Sequence, residues 1–103
     1  MGTKDKRTPS DERADSGHPY QIGKPYFIRT ITHYYTGRIV EVTNDEIVVD
    51  KAAWIACTKR LADTLKTGKF EEVEPFPDGN LIIGRGTVVD AFIWPHDLPR
   101  EQV

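Results

Sequence analysis

The feature that most limits this chain is how little of it can be buried. Of its 103 residues, the first 22 mix four basic and four acidic side chains with Pro, Ser, Thr and Gly. Ordering such a segment costs about 1–2 kcal/mol per residue, and almost no apolar surface is present to offset that cost. Residues 1–22 are therefore predicted to be a tail that is disordered unless a partner orders it. Residues 23–103 are predicted to form a single domain.

This domain is small for a protein that must be stable by itself. A chain of its size buries only a little over ~60% of its unfolded surface. Cys57 is the only cysteine, and the three histidines lie far apart in the sequence. Neither a disulfide nor a metal site is therefore expected, and no other cofactor is indicated. The remaining common route to stability is self-association, so we expect a homo-oligomer.

The composition also limits where the chain works and what it binds. No apolar run is long enough for a signal peptide or for the ~20 residues of a membrane span. Together with the single cysteine, this favours a reducing, cytoplasmic setting without a membrane partner. The net charge is −2, whereas proteins that bind nucleic acid mainly through phosphates are usually basic.

Short runs of β-branched and aromatic residues predict a mainly β fold. Such residues suit a pleated, half-buried surface. Gly37 is expected to mark a bulge or bend, and the segment 84–87 suits a tight hairpin or a bent strand. Strands are predicted over residues 26–36, 38–42, 47–49, 81–83 and 88–94.

One helix is predicted over residues 51–67. Asp50 suits the N-cap position and Gly68 suits the position after the last turn. The acidic segment 71–74 that follows is expected to be exposed. Apolar residues at spacings of three and four form one stripe on this helix: Trp54, Cys57, Leu61 and Leu65.

Two segments of the chain resemble the motifs of the Sm-like family of small bent-strand barrels. Residues 36–52 contain a bulge glycine, an apolar strand, an acidic loop and a second apolar strand, like the family's first motif. Residues 81–89 contain two apolar strands around Arg85 and Gly86, like its second motif. Residues 26–38, with the run 52–56, also resemble small bacterial and phage proteins.

The Sm-like resemblance implies a five-stranded, SH3-like bent barrel with the helix inserted between its third and fourth strands. In this family the last two strands pair between subunits and close a ring. The resemblance therefore places Val88, Val89 and Phe92 at the subunit interface. It also implies single-stranded RNA at the ring opening, where the matching contact residues are Asn44, Arg85 and Gly86.

Departures from the family pattern support a second hypothesis. The family's turn glycine has no match between Arg29 and Thr36, and residues 53–79 would be an insertion. The loop that contacts bases in the family has only Asn44, Asp45 and Glu46 here. The alternative is a structural or adaptor protein, phage-borne, that binds no nucleic acid. Its protein partners would bind the N-terminal tail or the helix 51–67.

No residue pattern predicts catalysis, and a non-enzymatic protein is expected. The sequence has no nucleophile beside a base, no carboxylate pair in apolar surroundings and no metal triad. Cys57 is expected to be a packed thiol. The trio 33–35 could stack on bases or could be a strand with one aromatic residue inside. Arg85, between two glycines, could bind a phosphate or could face water or a neighbouring carboxylate.

Overall fold

A computed structural model describes residues 18–102 of the chain. The mainly β class is confirmed, with six strands and one helix. The strands are β1 (Pro25–Thr30), β2 (Tyr34–Val42), β3 (Glu46–Cys57), β4 (Glu72–Pro75), β5 (Asn80–Gly84) and β6 (Val88–Ile93). Helix α1 spans Leu61–Thr67, and a 3-10 turn, Arg85–Thr87, joins β5 to β6. Most of the predicted tail, residues 1–17, lies outside the described residues.

All six strands belong to one antiparallel sheet, which is open. Its order is β4-β3-β2-β1-β6, and β5 also pairs with β3. β3 has room for this extra neighbour because its two halves pair with different strands. Residues 46–50 pair with β5, and residues 53–57 pair with β4. Lys51 lies between the two halves with a φ of 50°, a backbone conformation that side chains rarely adopt. The strand therefore changes direction at this residue.

The predicted helix 51–67 is wrong over its first half. Residues 51–57 continue β3, and α1 begins only at Leu61. This half of β3 pairs with β2 on one side and β4 on the other, and Ala53 and Ile55 are buried on the face that α1 covers. Pairing on both sides overrides the helical spacing of the apolar residues. Gly68 ends the helix as predicted, with a φ of 76° and its N–H donated to the Thr64 carbonyl.

Three further features of the strands differ from the prediction. The run 26–36 is two strands, because Thr30 donates its N–H to the His33 carbonyl (2.8 Å) and closes a turn. The acidic segment forms β4, in which Val73 is buried. Of the two alternatives for residues 84–87, the hairpin is not formed, since β5 pairs with β3 and β6 pairs with β1.

The bulge at Gly37 is confirmed. The register of β2 on β3 shifts between Thr36 and Arg38. A Cβ atom built on Gly37 would lie only 2.9 Å from the Cβ of Val49. The close approach of these two strands therefore requires a residue without a side chain at this position.

The two faces of the sheet pack against separate hydrophobic clusters. Successive β1 residues alternate between the two, as the pleat requires. The strand cluster contains residues from strands alone: Tyr26, Ile28, Ile39, Ile47, Val49, Ala52 and Ile83. The helix-side cluster contains Phe27, Ala53, Ile55, Val73 and Trp94, and it is covered by Leu61, Leu65, Phe70 and Leu98.

The segment after β6 holds α1 against the sheet. Trp94 is buried and stacks on Phe70, with ring centroids 5.1 Å apart. The Nε2 atom of His96 lies 2.8 Å from the Leu65 carbonyl oxygen, and its ring lies directly against Gly68. Cys57, predicted to lie on the helix stripe, is instead half-buried at the end of β3, and its Sγ lies 3.2 Å from Glu71 Oε1.

Candidate functional site

The structure brings together the residues predicted to contact RNA at one end of the sheet. Asn44 lies in the turn between β2 and β3, and Arg85 begins the turn between β5 and β6. The Arg85 backbone N–H donates to the Asp45 carbonyl (2.9 Å). Its Nη1 donates to the Thr43 carbonyl at 2.6 Å and, more weakly, to that of Asn44 at 3.5 Å. Arg85 therefore connects the two turns, and the exposed Gly86 follows it.

The charge at this end of the sheet is mixed. Asp45 and Glu46 follow Asn44 directly, and both are exposed. Burial raises the pKa of Tyr20 above its ordinary value, while the nearby Arg85 cation lowers it in part. The site therefore offers hydrogen-bonding groups around a single arginine and has no basic patch of the kind that neutralises several phosphates.

The residues predicted for the subunit interface lie on β6, at one edge of the sheet. β6 pairs only with β1 in the described part of the chain. Val89 is 65% exposed and Phe92 is 53% exposed. Val88 is half-buried against the strand cluster. None of the six residues of this strand is buried, so most of its apolar surface faces outward.

β5 provides a second open edge. Among the described residues it pairs only with β3. Ile83 is buried in the strand cluster, whereas Ile82 is 59% exposed. The two open edges belong to consecutive strands, which the three-residue turn Arg85–Thr87 keeps close together.

A cleft lined by aromatic side chains lies at β3, β4 and the start of β2. Tyr35, Trp54 and Glu74 are cross-strand partners on β2, β3 and β4. Because Ala53 and Ile55 point into the helix-side cluster, this row lies on the opposite face of the sheet. The cleft measures about 340 Å³ and is lined by His33, Tyr35, Trp54, Glu74, Pro75 and Phe76.

Four rings form a continuous arc around this aromatic cleft. The His33 ring lies 5.6 Å from that of Trp54 and 6.1 Å from that of Tyr35, measured between centroids. The Tyr35 ring stacks on Phe76 at 6.3 Å. The Thr32 hydroxyl lies 2.8 Å from His33 Nδ1 and orients the imidazole. Trp54, at the end of the arc, is 37% exposed.

The aromatic cleft was not predicted, because the spacing of the apolar residues around Trp54 indicated a helix. Of the two interpretations of the trio 33–35, the structure agrees with a strand whose aromatic residues alternate, since Tyr34 and Tyr35 pack against different clusters. Tyr34 lies on the other face, edge-on to Phe27 and beneath the Arg29 guanidinium at 5.9 Å. A strand assignment for residues 51–57 would have placed Trp54 on the sheet face opposite to Ala53 and Ile55. The β-branched and aromatic pair Trp54-Ile55 was the one signal for that assignment.

Comparisons with protein-family models, with curated proteins and with solved structures found no match to this chain. Within residues 18–102, no helix has the length and apolar character needed to cross a membrane. The function is therefore inferred from the open edges, the Arg85 turn and the aromatic cleft.

Proposed function

We propose that this protein is a non-enzymatic homo-oligomer with an Sm-like barrel, in which β5 of one copy pairs with β6 of the next. The observation that carries this proposal is the exposure of β6. In the part of the chain that the structure describes, one side of its backbone has no strand partner, and its side chains include the exposed Val89 and Phe92. Such an edge is a template for another strand unless it is blunted or covered.

The order of the strands supports the barrel. β5, β3, β2, β1 and β6 are paired in succession, so β5 and β6 end the path on its two sides. The short turn between them keeps these two ends near each other. A contact between the free edge of β5 and the free edge of a neighbour's β6 would then extend the same antiparallel sheet from copy to copy.

The chemistry of the two edges favours a closed ring. An interface between two different surfaces is head-to-tail, and it produces either a ring or a filament. Apolar side chains lie on both edges, with Ile82 on β5 and Val89 and Phe92 on β6. A ring buries every copy of these side chains and leaves no terminal edge exposed, whereas a filament keeps an open edge at each end.

Native mass spectrometry of protein purified without nuclease tests this proposal. The expected result is one closed assembly of a single size. Val89→Asp should yield monomers, because the interface would bury an unpaired charge. Val89→Ala is the matched control and should still assemble. A wild-type monomer at micromolar concentration would overturn the proposal, and so would an unchanged assembly in Val89→Asp.

A second proposal is that the Arg85 turn of the assembly binds single-stranded RNA. It is supported by the hydrogen bonds that hold Asn44 and Arg85 at the same end of the sheet. Fluorescence anisotropy with a short labelled oligoribonucleotide tests it at physiological salt. Arg85→Ala should weaken binding about tenfold, and Arg85→Lys should weaken it less because the charge remains. Absent binding by the wild type would instead support an assembly or adaptor protein that binds only proteins.

A further inference from the structure

The aromatic cleft contains groups that neither the strand edges nor the Arg85 turn uses. We propose that it binds a methylated ammonium group, with the cation held against Trp54, Tyr35 and Phe76 and attracted by Glu74. This proposal goes beyond the oligomer and RNA proposals and does not depend on either of them.

The arrangement of the rings supports a cationic ligand. Cations are attracted to the faces of aromatic rings within about 6 Å of the centroid. The rings of Trp54, His33, Tyr35 and Phe76 line the cleft, and the centroids of successive rings in this arc are 5.6–6.3 Å apart. The volume of about 340 Å³ is at the lower end of the range for small-molecule sites. A compact organic cation therefore suits both the size and the lining.

The charge around the cleft has the matching sign. Among the described residues, those that line the cleft include Glu74 and no lysine or arginine. Gln102 donates its amide to Glu74 Oε2 at 2.7 Å, which orients the carboxylate without neutralising it. Arg100 reaches the Phe76 carbonyl (3.1 Å) but does not line the cleft. From Glu71 to Gly84 the sequence contains four acidic residues and no basic one, so the segment that contributes Glu74, Pro75 and Phe76 to the cleft is itself acidic.

The shortage of acceptors favours a methylated ammonium over an unmodified one. A free ammonium carries three N–H donors, which lose their bonds to water when they enter the cleft. Within residues 18–102, Glu74 is the only carboxylate that lines the cleft. A trimethylated ammonium has no N–H to satisfy, and its methyl groups gain apolar contact with the rings.

Titration with choline and with its neutral carbon isostere, 3,3-dimethylbutan-1-ol, tests the role of the charge. The two probes have nearly the same shape, so a cation–π site should bind choline about tenfold more tightly. Nuclear magnetic resonance should show the Trp54 indole N–H shifting during the choline titration, while that of the buried Trp94 stays fixed. Equal affinity for the two probes, or no shift at Trp54, would overturn the proposal.

Peptides distinguish the two sources of such a group. A trimethyl-lysine peptide that binds more tightly than choline assigns the site to a modified protein partner. Choline that binds as tightly as the peptide assigns it to a small molecule. In either case the unmethylated peptide should bind at least about tenfold more weakly than the methylated one. Tighter binding of the unmethylated peptide would contradict the proposal.

Variants locate the binding within the molecule. Trp54→Ala and Glu74→Gln should each weaken choline binding, Trp54→Ala by about tenfold. Glu72→Gln is the matched control for Glu74→Gln, since it removes the same charge from the same strand but does not line the cleft. Trp54→Phe keeps a ring at this position and should therefore retain part of the affinity. It serves as the test if Trp54→Ala perturbs the fold. Unaltered binding in both Trp54 variants would exclude the cleft as the site.

Discussion

Two of the three outer strands of the sheet, β4 and β6, are stabilised in different ways. β4 has four residues, its exposed positions carry Glu72 and Glu74, and it ends at Pro75. Its one apolar residue, Val73, is 1% exposed and belongs to the helix-side cluster. β6 is longer, has no buried residue, and exposes Val89, Phe92 and Ile93. Short length, charge and proline are the usual features that blunt an edge, and only β4 combines them.

The difference indicates which of the two edge strands is already protected within one copy of the chain. β4 is anchored by a buried side chain and protected by its charges. β6 is attached by backbone pairing with β1 and by the ion pair between Arg29 and Asp90. An edge of this second kind gains most from a partner, so we expect changes at β4 to affect folding and changes at β6 to affect assembly.

The largest expected effect comes from a charge placed on β6. Phe92→Asp should raise the dissociation constant of the assembly at least about 30-fold, the equivalent of a 2 kcal/mol interface residue. Glu72→Lys, a charge change on the other edge, should leave the assembly intact. Sedimentation velocity over a concentration series measures both. Dissociation by Glu72→Lys alone would reverse the roles of the two edges.

A smaller effect is expected from Val73→Ala on β4. It removes two buried methyl groups and leaves space in the helix-side cluster, so the free energy of unfolding should fall by about 2 kcal/mol. The assembly should keep its size. Val89→Ala on β6 is the control, and its effect on monomer unfolding should stay within about 0.5 kcal/mol because the side chain is exposed. Urea unfolding in a monomeric Phe92→Asp background separates folding from assembly.

Asp90→Asn should have a still smaller effect, below about 1 kcal/mol, because half of this carboxylate is exposed. The substitution removes the charge partner of Arg29 and loosens β6 from β1. The loss should shrink at high salt, since screening already weakens an exposed pair. Hydrogen exchange should report faster opening of β6 and no change in β4. Faster exchange in both strands would show that the two edges are not independent.

The smallest expected effect is on the pH dependence of unfolding. The Arg29 guanidinium hydrogen-bonds Asp90 and lowers its pKa, and Arg38 lowers that of Asp50 in the same way. Both groups therefore stabilise the fold fully above their unfolded pKa of about 3.9, and this contribution disappears as the pH falls through the lower folded values. Between pH 2 and 6, the free energy of unfolding should change slightly less with pH for Asp90→Asn than for the wild type. Identical slopes would show that the pair contributes nothing to the attachment of β6.

Local side-chain chemistry predicted much of the sheet. β-branched and aromatic runs indicated the strands around Phe27, Ile39, Val48 and Phe92, because these residues fit a pleated surface wherever they pair. The turn at residues 31–33 escaped prediction because it contains neither glycine nor proline and is closed by the Thr30 side chain and backbone. β4 escaped because its apolar content is one valine. The segment 51–57 was assigned to a helix because partners far away in the chain decide its structure.

The candidate sites also differ in how far a local sequence pattern indicates them. The position of Arg85 between two apolar strands was visible in the sequence, and the family resemblance placed it with Asn44 at a ring opening. Its hydrogen bonds to the Thr43 and Asn44 carbonyls were not predicted. The aromatic cleft depends on the register of three strands, which places Tyr35, Trp54 and Glu74 in one row. A shift of one residue would turn Trp54 to the other face. No local pattern specifies that register, so the cleft could be found only in the folded chain.

The division of β3 between two neighbours has a consequence for the order of folding. The pairing of β3 with β2 links residues that are close in sequence. The pairing of its first half with β5 links residues that are separated by α1 and β4. The pairing of β1 with β6 spans still more of the chain. Contacts between distant residues carry the larger loop-closure entropy and tend to form late. We therefore expect β1, β2 and β3 to form the folding nucleus and β6 to join last, so mutations in β6 should change the unfolding rate and leave the folding rate nearly unaltered.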